Sequence, residues 1–105
     1  MTTATLKWTD PTSRTDGSAL APSDIARVDI FDTAAPDPSR AIGSVLGGVQ
    51  TFTTDALTVG THTFTVVVTD TTGHVSAASN TATVTVAATL AAPNPVADLT
   101  AALNA

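Results

Sequence analysis

Thr61-His62-Thr63-Phe64-Thr65-Val66-Val67-Val68-Thr69 is the stretch that decides the fold. Side chains of a strand point alternately to its two faces. His62, Phe64, Val66 and Val68 therefore share one face, and Thr61, Thr63, Thr65, Val67 and Thr69 share the other. One face is predicted to be buried and the other, rich in threonine, to be wet. Three further segments repeat the pattern. Ala4, Leu6 and Trp8 alternate with Thr3, Thr5, Lys7 and Thr9; Ala26, Val28 and Ile30 with Arg27, Asp29 and Phe31; Ala82, Val84 and Val86 with Thr81, Thr83 and Thr85.

Weaker strands are expected at Ala41–Val45 and Val49–Thr53, around Gly47-Gly48, which reads as a hairpin turn. Pro11 to Pro22, with Asp16-Gly17, is a long loop; Pro36-Asp37-Pro38-Ser39 is another, and Thr71-Thr72-Gly73 joins the third and fourth clear strands. No helical periodicity occurs before residue 87, and Ala97 to Ala105 has the propensity for a short helix. Many short strands at near-regular spacing give an all-β antiparallel sandwich.

Composition agrees. Thr makes up about a fifth of the 105 residues, and Trp8, Phe31, Phe52 and Phe64 are the only aromatics, so Val, Ile, Leu and Ala must build the core. Net charge is −5, with every acidic residue an Asp; Lys7, Arg14, Arg27 and Arg40 are scattered rather than clustered, which argues against nucleic acid as a partner. There is no cysteine, hence no disulfide and no thiolate metal site. No run approaches the roughly 20 apolar residues that span a bilayer, and no apolar leader follows Met1.

The order of motifs resembles a fibronectin type III-like domain of the bacterial or phage type. Leu6, Trp8 and Pro11 come first, followed by Ile25-x-x-Val28-x-Ile30-Phe31 and Leu57-x-x-Gly60-x-His62-x-Phe64-x-Val66. Asp70-x-x-Gly73-His74-x-Ser76-x-x-Ser79-Asn80 and Val84-x-Val86 complete the match over residues 4 to 86. The resemblance implies an immunoglobulin-like sandwich over residues 1–86 and a C-terminal arm over 87–105. His62 stands where the family has a tyrosine that bonds to the upstream backbone at a strand corner. The family's first strand is missing before Thr3, whereas Pro93-Asn94-Pro95-Val96-Ala97-Asp98-Leu99-Thr100 resembles such a strand at the other end.

The candidate site residues differ in the chemistry their surroundings allow. Trp8 lies on an inward face, as a core anchor does. His62 and His74 are the only imidazoles, and neither a zinc motif nor a nucleophile motif accompanies them. Asp29, Asp32 and Asp37 lack the close spacing of a calcium loop. The expectation is no catalytic, metal or cofactor site. Val96 and Leu99 are the candidate protein-interface residues. Ten residues separate Val86 from Val96, a reach of at most about 33–36 Å. A return along the domain would consume nearly all of it, so donation of the arm to a neighbouring copy, beside Thr3–Thr9, is favoured.

These readings lead to a non-enzymatic structural virion protein of a bacteriophage, a capsid decoration or tail-associated module. Its expected partners are other virion proteins and itself, as a homo-oligomer on the particle, with no membrane partner. The alternative is an accessory binding or spacer domain of a secreted bacterial carbohydrate-active enzyme, with an extracellular location.

Overall fold

A computed structural model describes residues 2–88 and 92–104. The described residues form an all-β fold of two antiparallel sheets, the layering of a β-sandwich. Its strands are β1 (Thr5–Lys7), β2 (Ile25–Asp32), β3 (Gly43–Leu46), β4 (Thr51–Thr53), β5 (Gly60–Asp70) and β6 (Ala82–Val86). One sheet has the order β3-β2-β5-β6; the other is the pair β1-β4. A short 3₁₀ turn, Pro22–Asp24, leads into β2.

The long alternating stretch becomes the centre of the larger sheet. β5 pairs with β2 on one side, Val28 opposite Val68 and Ile30 opposite Val66, and with β6 on the other, His62 opposite Val84. Val28, Ile30 and Phe64 are completely or almost completely buried. Leu20, from the long loop, is buried against Ile25 and Val28, and Trp8, Val45, Val66 and Val68 pack around this cluster. The loop reaches the core because it folds on itself. Leu20 N donates to Thr12 O at 2.9 Å and Arg14 N to Ser18 O at 2.8 Å, with Gly17 at a positive φ of 86° at the tip.

Several expectations are corrected. Gly47-Gly48 is not a hairpin turn. β3 pairs with β2 and β4 with β1, so the two glycines carry the chain from one sheet to the other. Gly47 passes so close to the Ile25 carbonyl that a Cβ there would collide with backbone, which explains the glycine better than turn geometry does. The register of β2 shifts between Ile25 and Arg27, so Ala26 is an inserted residue and Ile25, rather than Ala26, is buried. Thr69, assigned to the wet face, is 4% exposed. The chain closes over the end of β5 there, with Asp70 N donating to His74 O and Thr71 N to Asp24 O, both at 2.9 Å. Leu6, Val66 and Val84, expected in the core, are half-buried, and so is Trp8. Residues 97–104 form no helix, and Ala105 lies outside the described residues.

Candidate functional site

Three places gather the polar or exposed groups that carry function in a domain this small. The first is the corner before β5. Gly60, at φ 127°, lets the backbone turn sharply, and His62 Nε2 lies 2.7 Å from the carbonyl of Thr58, four residues upstream. Its Nδ1 lies 2.7 Å from Asp32 Oδ2. The Thr58 carbonyl can only accept, so Nε2 donates to it, and a protonated ring can donate to Asp32 from Nδ1 as well. The hydrogen bond to the Thr58 carbonyl and the neighbouring Asp32 carboxylate raise the His62 pKa above its ordinary value. The pair is buried, His62 at 2% and Asp32 at 3% exposure, and Asp32 Oδ1 also accepts from Ala34 N. Both ring nitrogens are thus engaged in internal bonds, and the ring ties the corner before β5 to β2.

The second is the turn after β5. Asp70 Oδ1 accepts from Thr72 N, Thr72 Oγ1 and His74 N, while Oδ2 accepts from Arg14 Nη1 at 2.7 Å and faces His74 Nδ1 at 3.1 Å. The Arg14 guanidinium and these donors hold the Asp70 carboxyl far below the usual carboxylate range. The cluster ties the Pro11–Pro22 loop to the sheet. Gly73, at φ 92°, closes the turn, so His74 is a turn residue with an exposed ring.

The aspartates considered for calcium separate onto different partners. Asp29 pairs with Arg27, Asp32 with His62, and Asp37 with Ser39. Among the described residues no group of three metal-ligating side chains converges. No helix of the described residues is long and apolar enough to cross a membrane.

The third place is the open side of the sandwich. Ala4 O accepts from Thr54 N, and Trp8 N donates to Gln50 O, so Ala4, Leu6 and Trp8 turn their backbone groups towards β4. Alternation then points those of Thr3, Thr5 and Lys7 the other way. Among the described residues no segment pairs with that edge. Behind it lies a cleft of about 410 Å³ between the sheets, bordered by Trp8, Pro11, Val66, Val68, Ser76 and Ser79. The Trp8 indole forms one wall, its Nε1 donating to Asp10 Oδ1 at 2.9 Å.

The far wall is built by the two serines. Ser76 and Ser79 take the place of a regular strand start: Ser76 N donates to Val68 O and Ser79 N to Val66 O, and their hydroxyls accept from Val68 N and Val66 N. Three residues on one side thus match two on the other, so the backbone bulges and the ladder is completed by side chains.

Val96 and Leu99 lie on the arm, exposed at 78% and 89%, and Leu103 is exposed at 97%. The structure therefore does not bring them to β1 of their own chain. The Asp32 partner of His62 is the element that reading the sequence missed. The signal was present: Val28, Ile30 and Asp32 share the inward face of β2, and a carboxylate placed there needs a buried donor. Compared with protein-family models, curated proteins and solved structures, the chain matches none of them.

Proposed function

We propose that this chain is a non-enzymatic structural protein of a bacteriophage virion, a capsid decoration or tail-associated module built on a fibronectin type III-like sandwich. The observation that carries the reading is the contrast in how its groups are used. The imidazole of His62 and the carboxylates of Asp32 and Asp70 are engaged in internal bonds, whereas among the described residues a strand edge, an apolar cleft and an arm with three large apolar side chains are left unpartnered. Groups committed to holding the fold leave little for chemistry, and unpaired edges are what proteins use to add a strand from a partner. The sheet order β3-β2-β5-β6 facing β1-β4, and the His62 bond to the Thr58 carbonyl, support the fibronectin type III-like assignment. The phage assignment rests on the resemblance and on the threonine-rich, lysine-poor composition.

The test is immunogold labelling of particles purified from a lysate of the source, with antibody raised against the chain. Label at a regular position on the head or tail supports the reading. Chain found only in the medium, covalently part of a larger hydrolase, overturns it in favour of a spacer domain.

A further inference from the structure

We infer that the arm of one copy adds as an antiparallel strand to the free edge of β1 in a second copy, setting Val96 and Leu99 into the cleft beside Trp8. This deepens the reading as a structural module by naming its partner: another copy of the same chain.

Both halves of the contact are on one chain, and among the described residues neither is satisfied within it. The acceptor offers the outward backbone groups of Thr3, Thr5 and Lys7, and a cleft whose Trp8, Val66 and Val68 walls are only half-buried. The donor is an arm that pairs with no other segment among the described residues and holds Val96, Leu99 and Leu103 in solvent. Val96 and Leu99 are three residues apart, so a one-residue bulge at Ala97–Asp98 turns both towards the cleft. Charge agrees as well: Lys7 on the edge and Asp98 on the arm make no ion pair among the described residues.

Direction favours a second copy over the arm's own sandwich. β1 runs from the end of the sandwich holding Thr54 towards the end holding Gln50, Val68 and Ser76. An antiparallel partner must enter beside Trp8 and run back. β6 finishes at the opposite end, Val86 facing Gly60. The arm of the same chain would have to climb the length of β5 from Gly60 to Val68 before starting, about 26 Å of the roughly 33–36 Å that ten residues span. A neighbour stacked end to end meets the arm as it leaves. Such head-to-tail contacts close into a ring or continue as a filament.

The experiment uses full-length chains and light scattering of solutions over a range of concentrations. Val96→Asp with Leu99→Asp disables the donor. Thr5→Pro disables the acceptor, because proline lacks the outward N–H and is tolerated at strand edges. The expected result is a wild-type mass above one chain that rises with concentration, and one-chain mass for each variant alone. An equimolar mixture of the two variants should reach two chains and stop, since it retains one good arm and one good edge. Unfolded variants could not rescue each other, so the mixture guards against trivial loss of structure. Wild type that stays at one chain at every concentration overturns the inference, and so does a mixture that stays at one chain. Either result leaves the particle-labelling test intact, so failure of strand exchange and failure of the virion reading are separable.

Discussion

The two sides of this sandwich were written with the same alternating code and came out differently. On the closed side, the Val28, Ile30 and Phe64 side chains disappear from solvent, and even the charged pair His62–Asp32 has every polar atom bonded. On the open side, Trp8, Val66 and Val68 obey the same alternation yet border a cleft. The difference lies in what stands opposite: Val66 and Val68 belong to β5, as Phe64 does, but they face the end of the small sheet at Trp8, where among the described residues β1 is paired with β4 alone. Alternation specifies which face of a strand points inward; whether that face is covered depends on how many strands lie opposite.

The largest test of this contrast is at the closed side. Asp32→Ala leaves the buried His62 ring without its carboxylate partner and should lower stability by about 3–5 kcal/mol, read by denaturant unfolding. A loss below about 1 kcal/mol would show that the corner is wet. Trp8→Ala, at the open side, should cost roughly 2 kcal/mol, about half the usual loss for a fully buried tryptophan. A loss as large as that for Asp32→Ala would erase the distinction between the two sides.

The same contrast appears in pH dependence. The His62 pKa is raised in the folded chain, so its contribution is complete below the ordinary value of about 6.5 and is lost as pH rises through the folded value. Melting temperature should therefore decline as pH rises above the ordinary histidine value, and the decline should vanish in His62→Gln. The Asp70 carboxyl is shifted the other way, so its contribution is present above the ordinary carboxylate value and fades as pH falls through the depressed one. The smallest expected effect is that of Arg14→Gln, because the guanidinium is partly exposed and screened. It should lower the melting temperature slightly near neutral pH and flatten the acid limb; an unchanged acid limb would show that Arg14 does not set the Asp70 pKa.

Much of the fold was legible because period-two alternation is a local property. The stretch Thr61–Val68 and the β2 residues Val28 and Ile30 carry their meaning in spacing alone. Three features were not legible for one shared reason: they depend on what lies across space. Gly47-Gly48 reads as a hairpin turn, because only the partners of β3 and β4 show that the chain changes sheets there. The Ala26 insertion leaves no mark in composition. Trp8 looks like a core residue until the strand count beside it is known. On the arm, Val96 and Leu99 were recognisable as apolar positions in a polar setting, but a sequence does not say whose sheet they would join.

The crossing at Gly47 also bears on how the domain opens. β2 and β5 are paired along most of their length, and residues 71–81, which join β5 to β6, are themselves bonded back to β5 through Ser76 and Ser79. β1 meets β4 over only three residue pairs drawn from segments 44 to 48 positions apart. Closing that loop costs entropy that three pairs repay poorly, so the small sheet is the part whose local opening requires least. Amide hydrogens of Leu6 and Phe52 should exchange with solvent well before those of Val28 and Val66. A chain poised in this way reveals the inner faces of Leu6 and Phe52 in brief excursions, while its larger sheet persists.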